Sequence, residues 1–131
     1  MYAIDLWDDQ FILNDDHYHM KNNKLATTLD QHPLYHTFLS NMWHLRDKVV
    51  PIHMDSVAGL EWLKSQGIQP DMIYIDGDHH YDAVVRDLEA CSRLFPDAIL
   101  VGDDFGNYKD VSKAVTECAA KRMKSGVRTK C

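Results

Sequence analysis

At 131 residues, with 45% hydrophobic and 26% charged residues, the chain is sized for one globular domain, 1–131, and is not a disordered polymer. A formal charge of −6 excludes a global basic field for holding nucleic acid. No apolar run approaches the roughly 18 residues of a membrane span, and "MYAIDLWDD" lacks the basic start and cleavage site of a signal peptide, so cytoplasm is the expected compartment.

The first segment, Met1–Asp5, is a short apolar run ending in an acid, the mark of a buried parallel strand. The stretch Trp7–Arg46 is polar and carries His17, His19, His32, His36 and His44, without the spacing of a zinc site. Within it, 32–45 reads as a helix with Leu34, Phe38 and Leu45 inward. Lys48–Ser56 alternates and contains Pro51, which places that strand near an edge. Ser56 then caps a helix through Val57, Leu60 and Leu63 that Gly67 ends. Asp71–Asp76 is a third strand, followed by a helix capped by Asp82 with Val84, Leu88, Cys91 and Phe95 on one face. Ala98–Asp104 is the fourth strand, and Asp110 caps a last helix through Val111, Ala114, Val115 and Cys118. The three cysteines form no CxxC; Cys91 and Cys118 read as small buried residues and Cys131 as a tail thiol.

Alternating strands and helices predict an α/β fold, a Rossmann-like parallel sheet with flanking helices. In such sheets ligands bind beyond the carboxyl ends of the strands. All four predicted strands put acids there: Asp5, Asp55, Asp76 with Asp78, and Asp103 with Asp104. Asp5 suits the hydroxyls of a ribose, or simply caps the next turn. Asp55 and Ser56 suit an adenine contact, which is compatible with capping the helix. Carboxylates crowded on one rim repel unless a cation neutralises them. Mg²⁺ suits such oxygen ligands and leaves room for a hydroxylated substrate. His79 and His80, beside the acids, could instead support a transition metal or serve as a base.

"YIDGDHHYDAVVRDLE", then "AILVGDDF", then "VSKAV" resemble the class I S-adenosylmethionine-dependent methyltransferases, in particular the macrocin-type and novobiocin-type sugar O-methyltransferases. "YAIDLW" resembles that family's second strand and "VVPIHMDS" its third, so the resemblance covers nearly the whole chain. It implies a divalent-metal-dependent O-methyltransferase acting on a hydroxyl of a small molecule or sugar. Asp5, Trp7, Asp55 and Ser56 would bind S-adenosylmethionine, and Asp76, Asp103 and Asp104 a divalent cation, Mg²⁺ foremost. Asp78 would be the general base, with His79 second to it. The sequence contains no GxG, so the glycine-rich cofactor turn is missing and the fold is expected to be a truncated methyltransferase domain. The chain is then a piece of a longer protein, or a reduced homologue whose bare strand edges self-association could cover. Two other readings stand beside it. "DGDHH" alone suits a metal-dependent hydrolase or phosphoesterase, and the missing turn suits a non-catalytic remnant.

Overall fold

The computed structural model describes residues 1–14 and 23–124. His17, His19 and Cys131 lie outside the described residues. The chain divides into two compact units, Met1–Asp55 and Ser56–Cys131.

In the first unit, β1 (Tyr2–Asp5) pairs in parallel with β2 (Val50–His53), with Tyr2 opposite Val50 and Asp5 opposite His53. Val50 donates its N–H to the Met1 carbonyl at 2.9 Å. Pro51, next along, has no N–H to give and sits where alternation turns that position away from β1, as expected of an edge strand. Between the strands lie α1 (Asp9–Asn14), α2 (Asn23–Gln31) and α3 (Leu34–Met42), then a 3₁₀ turn at Trp43–Leu45. The helix expected over 32–45 thus starts after Pro33 and tightens over its last three residues. Leu29, Val49 and Ile52 are buried.

The second unit runs α4 (Ser56–Ser65), β3 (Met72–Ile75), α5 (Tyr81–Leu94), β4 (Ile99–Gly102) and α6 (Lys109–Lys124). β3 and β4 are parallel, with Tyr74 opposite Val101 and Ile75 opposite Gly102. Val84, Val111 and Ala114 form a core cluster, and Tyr81, Val85, Leu88 and Val115 pack on it. Phe95 and Cys91 are the largest fully buried side chains, while Cys118 is half-buried.

Among the described residues, the strands form two parallel pairs, β1–β2 and β3–β4, with flanking helices, as expected of a truncated α/β methyltransferase fold. The strands are less buried than their apolar sequences predict. Met72, Tyr74, Ile99 and Val101 are exposed, at 60, 54, 40 and 38%. These positions share one face of the β3–β4 pair by alternation, so that face is left uncovered. Helix α5 begins at Tyr81 and not after Asp82, because the cap comes from elsewhere in the chain: Oδ2 of Asp110 accepts the Tyr81 N–H at 3.4 Å. Asp82 instead lies in the first turn, where its charge favours the helix dipole.

Candidate functional site

In the first unit, Asp5 ends β1 and is exposed. Its Oδ1 accepts the N–H of Trp7, and Trp7 itself adopts φ 42°. A bulky residue at positive φ is an outlier that its surroundings must hold in place. The Trp7 ring packs at 5.0 Å from Tyr35, 4.7 Å from Phe38 and 5.7 Å from His53, between ring centroids. A carboxylate has more acceptor positions than this one bond uses, so Asp5 keeps capacity for a ligand hydroxyl. Asp55, half-buried, follows β2 two residues after His53, the partner of Asp5.

In the second unit, Ser56 opens α4 and its hydroxyl donates to Oδ1 of Asp87 at 2.6 Å. Arg86 donates to the same hydroxyl at 3.3 Å and lies 3.4 Å from that carboxylate. Asp87 is the buried charged residue of this chain's described part, and sequence reading missed it. The available signal was an acid at a position where the stripe through Val84, Leu88 and Cys91 turns inward.

The strongest constellation lies where β3 and β4 end. Asp76 follows β3, His79 comes from the loop before α5, and Asp104 follows β4. One ligand atom from each lies within 4.8 Å of the others. Nε2 of His79 is 2.8 Å from Oδ2 of Asp104, and its ring stacks on Tyr108 with centroids 4.1 Å apart and planes 12° apart. Asp104 takes φ 61° and accepts from Asn107 through Oδ1 at 3.2 Å, with the Asn107 N–H on its carbonyl at 3.0 Å. Its carboxylate is therefore pinned by a tight turn, in a left-handed conformation that Asp tolerates better than most residues.

Asp103, the third expected ligand, precedes Asp104 and lines the same cavity as Asp76, His79 and Asp104. Alternation puts Asp103 on the same face as Val101, and Val101 is the partner of Tyr74. The Tyr74 hydroxyl accordingly donates to Oδ2 of Asp103 at 3.0 Å, while Oδ1 accepts the Asp104 N–H at 2.8 Å. These two bonds hold the Asp103 carboxyl below its ordinary pKa against a smaller effect of burial, and the Asp103 bond is the first cause that raises the Tyr74 phenol. Asp78 accepts the His80 N–H at 2.9 Å and meets Nδ1 of the same residue at 2.5 Å. Burial pushes the Asp78 carboxyl up, but the two His80 bonds and the charge of His80 and His79 together hold it below the ordinary value. Asp78 is thus an ionised and rather weak base. A cavity of about 160 Å³ is lined by Asp76, Asp78, His79, Asp103 and Asp104 and by apolar side chains including Val84, Leu88, Leu100 and Val111.

The family model described as a methyltransferase domain matches residues 1–105. The chain belongs to the methyltransferase domain family. The match takes in every candidate residue of this methyltransferase domain, from Asp5 to Asp104, and stops one residue after the last. No curated protein and no solved structure matches the chain. Among the described residues, no helix of the methyltransferase domain is long and apolar enough to cross a membrane.

Proposed function

We propose that this methyltransferase domain transfers a methyl group from S-adenosylmethionine to a hydroxyl of a small molecule or sugar, with the help of a divalent cation. The observation that carries the reading is the group Asp76, His79 and Asp104 at the carboxyl ends of two parallel strands, inside a chain matched as a methyltransferase domain. Asp5 would hold the ribose of the cofactor, and Trp7, Asp55 and Ser56 are the further residues proposed to contact it. The donor set fits a divalent ion, since two carboxylates and an imidazole are all common ligands. A cation held there supplies acidity to a nearby hydroxyl. Asp78, whose carboxyl the His80 bonds hold below its ordinary pKa, would be the acceptor of the substrate hydroxyl's proton. Methyl transfer is an in-line displacement, so the remaining task of the chain is alignment. The cavity beside the acids has the volume of about one six-membered ring by comparison with cavities known to bind benzene, and its apolar lining suits an acceptor with a carbon ring next to its hydroxyl.

Calorimetry with S-adenosylhomocysteine, with and without divalent ions, tests the reading. Micromolar binding that strengthens with metal is expected. Metal binding with no cofactor binding at any metal concentration would overturn it in favour of a metal-dependent hydrolase, and binding of neither would leave a non-catalytic module.

A further inference from the structure

The single proton of the Ser56 hydroxyl is already committed, to a buried carboxylate. We infer that Asp87 fixes the Ser56 hydroxyl as a hydrogen-bond acceptor, so that Ser56 selects a purine carrying an amino group over its 6-oxo counterpart. This rests on the proposal that Ser56 contacts the cofactor, at its adenine. It adds a positioning residue, Asp87, and the polarity of that contact.

Three observations support it. First, the Ser56 hydroxyl lies 2.6 Å from Oδ1 of Asp87. A carboxylate has no proton to give, so the hydroxyl is the donor in that bond. Bonds to a charged partner are among the strong ones, which opposes rotation of the hydroxyl away from Asp87. Second, the other neighbour of Ser56 is itself a donor: Nη2 of Arg86 reaches the Ser56 oxygen at 3.3 Å. A hydroxyl has one proton and two lone pairs. Asp87 takes the proton and Arg86 one lone pair, so one lone pair is left, on a residue that is only half-buried. Third, the Asp87 carboxylate is enclosed, with 12% of its side chain exposed. Oδ1 also lies 3.4 Å from Nε of Arg86, and Oδ2 is 3.6 Å from the place a Cβ would take on Gly77. Adenine presents a donating amine where a 6-oxo purine presents an accepting carbonyl. Against an outward lone pair the amine gains a bond, while the carbonyl meets a second acceptor and loses its water. A Ser56 hydroxyl free to turn could serve either group, so the preference depends on Asp87 acting through Ser56.

The test uses the full chain, with S-adenosylhomocysteine and S-inosylhomocysteine as probes in separate calorimetric titrations. The parent should bind the adenosyl probe at least about tenfold tighter, since a site that bonds one analogue leaves a polar group unpaired with the other. Ser56→Ala should bring the two probes within about threefold of each other, because the selecting atom is gone. Asp87→Ala should do the same with Ser56 still in place, because the hydroxyl can then turn. Asp87→Asn keeps an acceptor oxygen, which Arg86 holds toward Ser56, and should restore most of the preference. Circular dichroism of each variant checks that it is folded. A merely structural role for Asp87 would weaken both probes alike in Asp87→Ala and leave their ratio unchanged, and that result would overturn the inference. So would equal binding of the two probes by the parent. A full preference retained in Ser56→Ala, which leaves the buried Asp87 untouched, would overturn it as well. In each of these results S-adenosylhomocysteine still binds and the proposed function stands. Failure of both probes to bind the parent would overturn the inference together with the cofactor reading beneath it.

Discussion

The rings of His79 and Tyr108 lie nearly parallel, 12° apart with centroids at 4.1 Å, although 28 residues of chain and a whole strand separate them. Tyr108 closes the tight turn that begins at Asp104, so one short segment supplies both the carboxylate facing Nε2 of His79 and the surface on which its ring rests. Stacked aromatic pairs contribute about 0.5–1.5 kcal/mol beyond the area they bury. Tyr108→Ala should therefore free the His79 ring and weaken Mn²⁺ binding by about two- to tenfold, with a modest loss of thermal stability because Tyr108 is 38% exposed. Tyr108→Phe should bind as the parent does. Calorimetry on the pair decides it; equal weakening in both variants would mean that the hydroxyl and not the stack matters.

Ser56 illustrates how one residue invites both a structural and a functional reading. Its hydroxyl donates to Asp87, whose side chain is only 12% exposed. Removing a donor from a buried acceptor costs about 1–3 kcal/mol, more when the acceptor is charged. The neighbouring Arg86 limits the loss, so Ser56→Ala should lower the free energy of unfolding by about 1–2 kcal/mol. Urea denaturation measures this. If Ser56→Ala loses cofactor affinity with unchanged stability, its part in the second unit is binding and not structure.

How much of this was legible in the sequence follows from the range of each interaction. The four strands were legible because each is a short apolar run ended by acids, and the positions of Asp5, Asp55, Asp76 and Asp104 at strand ends followed from that alone. Pro51 announced its edge position for the same local reason. The place of His79 beside Asp76 and Asp104 was not legible. The register that pairs Ile75 with Gly102 would set Asp76 beside Asp103, and it is the turn beyond β4, with Asp104 at φ 61°, that brings Asp104 to Asp76 and His79. The start of α5 was missed by a residue or two because Asp110, from another helix, reaches its first N–H. The uncovered face of Met72, Tyr74, Ile99 and Val101 was likewise invisible, since an apolar run looks the same whether both faces or one is packed.

Tyr81 gives a pH dependence with a definite sign. Its hydroxyl donates to Oε2 of Glu117 at 2.6 Å. That bond first, then burial and the charge of Glu117, push the phenol up to about 12. The unfolded chain should titrate near about 10. A pKa raised on folding stabilises the protein fully below the unfolded value, and the contribution fades as pH rises from there through the folded value. Stability should therefore fall between about pH 10 and pH 12, and Tyr81→Phe should flatten that part of the profile. The absorbance of ionised tyrosine, recorded as a difference between parent and Tyr81→Phe, should show the late titration directly. A Tyr81→Phe profile parallel to the parent's above pH 10 would show that the bond to Glu117 does not survive in solution.

Trp7 carries the most demanding test in the first unit, because its backbone and its ring pull in opposite directions. At φ 42° the backbone is strained for any residue with a Cβ, at a cost of order 1–3 kcal/mol, and the ring contacts with Tyr35, Phe38 and His53 offset it. Trp7→Gly removes the strain and the ring together, while Trp7→Ala removes only the ring. Trp7→Ala should thus be the less stable of the two by about 1 kcal/mol, and both should fall well below the parent, by a few kcal/mol, as for other large-to-small aromatic replacements. Trp7→Phe keeps an aromatic ring at the same backbone and should lie between the parent and Trp7→Gly. Urea unfolding followed by near-ultraviolet circular dichroism, which reports on the packed rings, orders the four proteins. Trp7→Ala at least as stable as Trp7→Gly would show that the positive φ is relaxed in solution. The N–H that Asp5 accepts would then not be fixed where a ribose-binding carboxylate needs it.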